Sequence, residues 1–298
     1  MKLLALVLLL ATFSSPILTE VVEAFNKNTC SDSFIHIKKD IITPTIFKGY
    51  QYKKICQRWA NAYRFATLYD TQQRIPVYSA YRFTGQQDTI RNEEWKNEPE
   101  LENIKSPEMT VISPAEMDKF FHQAVNRDYA ESQRTTGTEY TRGHVFPRQY
   151  ATNQDQADST FAFTNVAPQT QHSNGEWAER VETPMMRVIN QQCRPDNNNP
   201  TYIVTGVVPG NKWIPITREV KEKRETIQNG VNIPSYYWTA FCCHNHQNER
   251  ISMAYLTLQN EPNERTFEFS QMSVNRLNIQ LTRLYKQEFS VFGTLCLN

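Results

Sequence analysis

Short stretches of apolar residues, either alternating with polar ones or continuous, recur along the chain and predict strands. Ile75 to Phe83 has the alternation of a strand and is followed by Gly85. Residues 202–208, 236–242 and 251–258 are continuous apolar runs, which are typical of strands buried on both faces. The pattern therefore predicts a sheet whose strands are spread along the sequence.

Helical signals lie between these strands. The segments Ser113–Glu116 and Ser173–Glu176 both have a serine followed three residues later by glutamate, which is the pattern of a helix start. Residues 266–289 are expected to form a closing helix. Residues 25–70 contain two cysteines and a run of aromatic residues at mixed helical spacings (50–68), and are expected to form an irregular entry tied by a disulfide. Because strands and helices are interspersed without a low-complexity linker, we predict one α+β domain.

The first 24 residues have the features of a secretory signal peptide. Lys2 precedes a short leucine-rich run, and the small residue Ala24 offers a cleavage site, with an earlier cut near Ser15 as the alternative. No later stretch is apolar enough to span a membrane. We therefore predict a secreted, extracellular protein whose single domain covers residues 25–298.

The chain has 6 cysteines, all beyond that segment. An even number in an exported protein predicts three disulfides, and the sequence leaves their connectivity open, although a strained bond between the adjacent Cys242 and Cys243 is disfavoured. The string from Cys242 to His246 places thiols and imidazoles close enough for zinc. Export favours oxidised cysteines instead, so no zinc site is expected.

The formal net charge of +1 does not by itself indicate a polyanionic partner. Any case for nucleic-acid chemistry must therefore come from local groups of residues.

One such group spans Arg142-Gly143-His144 and a second segment from Asn165 to Glu182. Predicted strands at 140–144 and 161–164, followed by a helix, give the order strand, loop, strand, helix. Asn174 and Glu182 are eight residues apart, a little over two helical turns, so both can project to one side. A base, a cation and oxygen donors in one place suit metal-assisted attack on a phosphodiester.

These residues resemble the DNA/RNA non-specific endonuclease family, whose ββα-metal site reads Asp-Arg-Gly-His-x-x-Pro and then Asn-x-x-Pro-Gln, Asn, Trp and Glu. The matching residues are Arg142, Gly143, His144, Pro147, Asn165, Pro168, Gln169, Asn174, Trp177 and Glu182. The similarity runs from about Ile75 to Leu258, and the exported, cysteine-bearing frame further resembles endonuclease domain-containing 1-like proteins. The implied fold is α+β, with a central antiparallel or mixed sheet flanked by helices.

The resemblance also implies a role for each site residue. His144 would be the general base that takes a proton from water, and Asn174 the protein ligand of Mg²⁺, with Mn²⁺ as the alternative ion. Glu182 would hold metal-bound water, Asn165 would brace the site, and Arg142 would offset charge on the phosphate. The activity implied is a metal-dependent endonuclease that acts on DNA and RNA.

Three positions depart from the family pattern. Thr141 stands where the family has aspartate, and Pro184 predicts a kink or restart of the helix directly after Glu182. Arg91 precedes Trp95 much as a phosphate-contacting arginine does in the family, but with two extra residues between them. Thr141, Pro184 and the near-neutral charge keep a second hypothesis open: a catalytically weak or inactive nuclease fold that binds nucleic acid or protein outside the cell.

Overall fold

The computed structural model describes residues 19–106, 108–260 and 269–298. In these ranges the strands are β1 (Val21–Val22), β2 (Ile35–Ile37), β3 (Asp40–Ile42), β4 (Tyr52–Trp59), β5 (Ala62–Asp70), β6 (Ile75–Phe83), β7 (Thr141–His144), β8 (Val166–Gln169), β9 (Thr201–Val208), β10 (Lys212–Val220), β11 (Lys223–Ile233), β12 (Tyr236–His244), β13 (Arg250–Leu258) and β14 (Phe269–Met272). The α-helices are α1 (Asn126–Ala130), α2 (Ser132–Thr136), α3 (Gln154–Ser159), α4 (Gln171–Trp177), α5 (Thr183–Gln192) and α6 (Val274–Tyr285).

Eight strands form one antiparallel sheet in the order β1-β4-β5-β6-β9-β12-β13-β14. The central strands β6, β9 and β12 are buried on both faces, which is why their sequences contain so few polar residues. The strands predicted at 75–83, 202–208, 236–242 and 251–258 are confirmed, with small differences at their ends. The predicted α+β class is confirmed.

The large sheet separates two hydrophobic cores, because successive side chains of a strand point to opposite faces. In β6, Tyr81 and Phe83 pack in the core that contains residues of β8, α4 and α5 and the residues that flank β7. Tyr78 and Ala80 of the same strand pack in the other core, against Leu277 of α6. The segments that carry the predicted chemistry therefore share one face of the sheet.

Three disulfides tie these layers: Cys30–Cys56, Cys193–Cys243 and Cys242–Cys296. Cys242 and Cys243 are neighbours on β12 and so belong to different cores. The prediction of three disulfides is confirmed, and the structure resolves the connectivity that the sequence left open. Both thiols of the string from Cys242 to His246 are disulfide-bonded, so neither is a thiolate that could bind zinc.

The disulfide tie of the entry predicted at residues 25–70 is confirmed as Cys30–Cys56. The prediction of irregular structure is wrong for residues 52–70, because they form the hairpin β4–β5. Its turn residues, Ala60 and Asn61, have φ angles of 51° and 61°. Two consecutive residues with positive φ are the signature of the two-residue turn that matches strand twist. The mixed spacing of aromatic residues arises because several residues on each face of these strands are buried.

The helix predicted to start at Ser113 does not form. Glu116 Oε2 accepts a hydrogen bond from the Ser113 amide at 2.8 Å, as in a helix start, but only a 3-10 turn at Met117–Lys119 follows. The carbonyl of Phe120 accepts a hydrogen bond from the Arg218 Nε group, far away in sequence. Tertiary hydrogen bonds therefore use backbone groups that a longer helix would need.

The closing helix predicted at 266–289 is shorter than expected. It is α6, Val274–Tyr285, and β14 takes up Phe269–Met272, while residues 266–268 lie outside the described residues. The β10–β11 ribbon was not predicted, because its charged residues 218–225 mask the apolar pattern, and only Ile214, Ile216 and residues of β11 reach the core. Within the described ranges, no helix is both long and apolar enough to cross a membrane.

Residues of the predicted signal peptide contribute an edge strand to the large sheet. β1 pairs with β4, and the Glu20 side chain is fully buried. The Glu20 carbonyl accepts a hydrogen bond from the Cys56 amide, and Glu20 Oε1 accepts one from the Arg58 amide, both at 2.7 Å. A cut after Ala24 would remove these contacts, whereas the alternative cut near Ser15 would keep them. Residues 1–18, which hold most of the predicted peptide, lie outside the described residues.

Candidate active site

The candidate site is built on the β7–β8 hairpin and the helix that follows it. The two strands are antiparallel and pair Thr141 with Gln169 and His144 with Val166. The second strand lies later than the predicted residues 161–164, because Ala162 bridges to Lys96 and a 3-10 turn follows at Phe163–Asn165. The predicted order of strand, loop, strand and helix holds, except that the segment between β7 and β8 contains the short helix α3.

Gly143 is required by close packing between the two strands. A Cβ atom at this position would lie 2.0 Å from Gln169 Oε1 and 2.7 Å from the hydroxyl oxygen of Tyr237. That hydroxyl lies within hydrogen-bond distance of the carbonyls of Gly143 (3.2 Å) and Ala167 (3.0 Å), and so bridges both strands. The absence of a side chain at Gly143 therefore allows Tyr237, on β12 of the large sheet, to bind both strands of the hairpin.

Asn165 is buried beneath the hairpin and does not line the cleft. Its Oδ1 atom accepts hydrogen bonds from the Phe146 amide and the Ser79 hydroxyl, both at 2.9 Å. Its Nδ2 group donates to the carbonyls of Phe146 and Thr160 at 3.1 and 3.0 Å. Asn165 thus fixes the chain just after His144 to Ser79 of the central sheet.

Asn174 lies inside α4, whose start differs from the prediction. The N-cap is Thr170, whose side chain accepts a hydrogen bond from the Ser173 amide at 3.1 Å, so the predicted cap at Ser173 is wrong. Asn174 Nδ2 donates to the Thr141 hydroxyl at 3.1 Å. This bond joins the helix directly to the first strand of the hairpin.

Pro184 does not break the helix after Glu182. Residues Ala178–Glu182 form a π-helical turn between α4 and α5, and Thr183 has helical angles, φ −63° and ψ −46°. A π turn widens the helix locally and is a known way of accommodating an irregularity. The predicted kink is therefore replaced by a continuous helical path that keeps Glu182 buried, facing the same cleft as Asn174.

Five of the predicted site residues line one open cleft of about 450 Å³: Arg91, Arg142, His144, Asn174 and Glu182. The same cleft is lined by Glu93, Trp95, Thr141, Pro147, Arg148, Gln149, Phe161 and Ala178. Residues separated by up to 91 positions in the sequence are thus brought together. Of the predicted site residues, only Asn165 lies outside the cleft.

His144 sits against two aromatic rings at the edge of this cleft. Its ring centroid is 5.0 Å from that of Phe161 and 5.5 Å from that of Trp95. Burial lowers the pKa of His144 to about 3, and the positive charge of Arg91 acts in the same direction, while a hydrogen bond to the backbone of Arg142 opposes them. The Nε2 atom has no hydrogen-bond partner among the described residues. The imidazole is therefore neutral at physiological pH, with Nε2 available to accept a proton.

Arg142 is held in place by both polar and aromatic contacts. Its Nη2 group donates to Asn126 Oδ1, and its guanidinium lies 5.0 Å from the ring centroid of Trp95 and 5.5 Å from that of Tyr129. Cation–π contacts of this kind stabilise a partly desolvated guanidinium. The side chain is therefore set in one orientation before any ligand arrives.

Arg148 is a third arginine of the cleft, and sequence reasoning missed it. Its Nη1 group donates to the carbonyl and the hydroxyl of Thr89, each at 2.9 Å. Its position directly after Pro147, at the end of the matched motif, was the one available signal. With Arg91 and Arg142, it gives the cleft a positive character that the overall charge does not reveal.

Glu182 lies opposite these cations on the helical side. Its Oε2 atom accepts a hydrogen bond from Gln149 Nε2 at 2.7 Å, and its carbonyl accepts one from the Tyr150 hydroxyl at 2.6 Å. Burial raises the pKa of Glu182 to about 7, and the hydrogen bond from Gln149 opposes this shift. A positive ion in the cleft would favour the ionised form of this carboxylate.

The model of the DNA/RNA non-specific endonuclease family matches residues 44–286. The chain belongs to this family. It is 34% identical to the Endonuclease domain-containing 1 protein of Homo sapiens and 32% identical to that of Mus musculus, over 195 residues or 64% of this chain. The chain spans 34% of the length of each of these relatives.

Solved structures show the same fold. A crystal structure of the EndoG/EndoGI complex matches with a TM-score of 0.50 and 17% sequence identity, covering 77% of this chain and 84% of that chain. At this identity the likeness concerns the fold alone, which is that of the ββα-metal nucleases. Membership of the non-specific endonuclease family implies a divalent metal.

The residues of the cleft fit such a metal. Asn174, Gln149 and Glu182 offer amide and carboxylate oxygens, which are the hard donors preferred by Mg²⁺. The nitrogen of the Asn174 amide is already bonded to Thr141, and its Oδ1 atom has no hydrogen-bond donor among the described residues. The donor set is sparse, as suits an ion that keeps most of its waters.

Proposed function

We propose that this protein is a secreted, Mg²⁺-dependent, non-specific endonuclease that hydrolyses phosphodiester bonds in DNA and RNA. The convergence of His144, Asn174 and Glu182 on one arginine-lined cleft carries this proposal. Membership of the endonuclease family supports the reaction class, and the three disulfides are consistent with export.

His144 is the general base of the proposed reaction. The hydrogen bond between its ring and the Arg142 backbone leaves Nε2 unpaired, so Nε2 would accept the proton of the attacking water. The aromatic rings of Trp95 and Phe161 keep water from solvating the imidazole from those sides, which favours its neutral form. The base is thus in its active protonation state throughout the physiological range.

Arg142 and its neighbours would bind the substrate phosphate. Arg142 is preorganised by Asn126 and Trp95, so little reorganisation is needed when negative charge develops on the phosphate. Arg91 is more exposed and pairs with Glu93, which suits a residue that contacts the polynucleotide at the rim. Arg142 is assigned to charge stabilisation and substrate binding, and Arg91 to binding alone.

Asn174 would hold the metal, and Glu182 would order the water around it. When bound, a divalent cation polarises the phosphate and lowers the pKa of coordinated water. Mg²⁺ is the proposed ion, with Mn²⁺ as the substitute that shares its oxygen preference. Asn165 contributes from below by fixing the turn that follows His144.

We further propose that the secreted unit is a single domain that begins before Thr19. The buried contacts of Glu20 and β1 support a signal-peptide cut near Ser15 over one after Ala24. This proposed start replaces the predicted start at residue 25.

A cleavage assay on the purified mature protein tests the function. With Mg²⁺, supercoiled plasmid and RNA should both be degraded, and a chelator should stop the reaction. His144→Ala should lower the rate by about 10²–10⁴-fold, the usual contribution of a general base, and Asn174→Ala should abolish the response to metal. His172→Ala is the matched control, because His172 is an exposed residue of α4 that does not line the cleft.

The same assay decides against the binding-module alternative. If wild type and His144→Ala both leave DNA and RNA intact with Mg²⁺ or Mn²⁺, the nuclease proposal fails. Metal-independent retention of polynucleotide without turnover would then favour a nuclease fold used for binding. Two of the features that suggested this alternative are accommodated structurally, since Pro184 follows a π turn and Thr141 is hydrogen-bonded to Asn174.

A further inference from the structure

Thr141 occupies the position where the family pattern has aspartate, and its side chain has two hydrogen-bond partners. Its hydroxyl donates to the carbonyl of Gln169 at 3.0 Å, across the β7–β8 pair. It also accepts a hydrogen bond from Asn174 Nδ2 at 3.1 Å. One small side chain therefore connects the first strand of the hairpin, the second strand and the helix.

We propose that Thr141 is a positioning residue that sets the orientation of the Asn174 amide, so that Asn174 presents its oxygen to the metal. This inference rests on the proposed function, because it concerns the ligand of the proposed metal. The side-chain amide of asparagine has a donor end and an acceptor end, and only the acceptor end can bind a cation.

The hydrogen bonds around Thr141 fix the direction of each donor. The Gln169 carbonyl is an acceptor only, so the Thr141 hydroxyl must donate its one hydrogen to it. The hydroxyl oxygen can then act only as an acceptor towards Asn174, which must offer its NH₂ group. A rotated amide would place Oδ1 against an oxygen with no hydrogen to give.

The backbone of Asn174 is restrained as well. Its amide donates to the carbonyl of Thr170, the residue that caps α4, at 3.0 Å. Thr170 directly follows Gln169, the partner of Thr141 in the hairpin. Contacts therefore run from Thr141 through Gln169 and Thr170 to Asn174 and back to Thr141. A substitution at Thr141 changes the surroundings of Asn174 directly.

This arrangement explains why an aspartate is not needed here. A carboxylate at position 141 could accept from Asn174 Nδ2, but it has no hydrogen to donate to the Gln169 carbonyl, so two acceptor oxygens would face each other. A threonine satisfies both partners and adds no negative charge beside Arg142. Thr141 is thus an uncharged replacement for the family residue that satisfies both hydrogen-bond partners.

Metal binding to three variants tests the proposal. Mn²⁺ and Mg²⁺ binding is measured by titration calorimetry on wild type, Thr141→Val, Thr141→Ser and Thr141→Asp, beside the metal concentration that half-saturates cleavage. Thr141→Val should weaken metal binding by roughly 10-fold to 100-fold, the usual effect of removing a residue that orients a ligand. Thr141→Ser keeps the hydroxyl and should restore binding to within about threefold of wild type.

Thr141→Asp should bind metal no more tightly than wild type and cleave no faster. Thr138→Val is the matched control, because the Thr138 hydroxyl makes no hydrogen bond among the described residues and does not line the cleft. Thermal melting of each variant separates loss of fold from loss of metal.

Several outcomes overturn the proposal. Unchanged metal affinity in Thr141→Val, failure of Thr141→Ser to restore binding, or a large gain in Thr141→Asp would each do so. If wild type binds metal and cleaves while Thr141→Val behaves identically, only the positioning role fails. If wild type neither binds metal nor cleaves, the proposed function fails, and the role of Thr141 fails with it.

Discussion

Replacing Gly143 with alanine should destabilise the protein and damage the site together. The added methyl group would lie 2.0 Å from Gln169 Oε1, whereas ordinary contacts of a Cβ atom are 3.4–4 Å. Gln169 is fully buried, and its Nε2 group donates to Gln259 Oε1 at 2.8 Å, so the side chain cannot move away without disturbing that bond. The Tyr237 hydroxyl, 2.7 Å from the added atom, must shift too.

The expected cost combines two effects. Forcing a methyl group into a packed interior costs about 1–3 kcal/mol. Loosening the bonds of Gln169 and Tyr237 adds about 1 kcal/mol for each. The free energy of unfolding should therefore fall by roughly 3–5 kcal/mol. Cleavage should fall further than stability alone explains, because the displaced strand carries His144.

Equilibrium urea unfolding with the disulfides intact measures the free energy of unfolding. A plasmid-cleavage assay at a temperature below the unfolding transition measures the activity. Gly175→Ala is the matched control, since nothing lies within 4 Å of its Cβ position and α4 should gain up to about 1 kcal/mol. In a Gln169→Ala background, Gly143→Ala should cost about 1–2 kcal/mol less, because the clashing oxygen is gone. A loss below about 0.5 kcal/mol, or an equal cost in both backgrounds, would refute the steric explanation.

Three further predictions concern buried polar groups. Asn165→Leu removes four hydrogen bonds and should lower the free energy of unfolding by about 3–4 kcal/mol in urea titrations, with cleavage reduced. Burial raises the pKa of Glu98 to about 7, and it raises the pKa of the neighbouring Glu20 further. The contribution of Glu98 to the free energy of unfolding is therefore complete below the ordinary pKa of 4.5 and is lost as the pH rises through about 7. Glu98→Gln should flatten this fall when urea midpoints at pH 5 and pH 8 are compared, and an unchanged slope would contradict it. A chain that starts at Phe25 should melt at a lower temperature than one that starts at Ser15, because it lacks the Glu20 hydrogen bonds, and equal melting temperatures would argue against a structural role for β1.

The parts of the site that could be predicted from the sequence are those with fixed local spacing. His144 lies on a strand, and Asn174 and Glu182 lie eight residues apart on one helical path, so their meeting follows from short-range geometry. The metal-ligand and base roles came from the family pattern, which fixes residue types at those positions. The orientation of the Asn174 amide did not follow, because it depends on the hydroxyl of Thr141 across a strand pair.

Other features depend on partners that are distant in sequence. Arg148 belongs to the cleft because Thr89, 59 residues earlier, binds its guanidinium. The helix expected at Ser113 is lost because Arg218 binds the carbonyl that follows the first turn. At Ser113, tertiary hydrogen bonding outweighs a local capping preference of about 1 kcal/mol. Strands β9 and β12 were predicted correctly, because burial on both faces leaves a continuous apolar sequence that few other structures share.

The disulfides of the adjacent Cys242 and Cys243 fix the register of β12 in the large sheet. A slip of one residue would turn Cys242 towards the layer of Cys193 and Cys243 towards the layer of Cys296. Two simultaneous bonds, with Cα atoms 5.8 and 5.9 Å apart, are compatible with the native alternation of faces. Formation of both disulfides therefore requires the native strand pairing, and a misregistered chain would be recognisable by its free thiols.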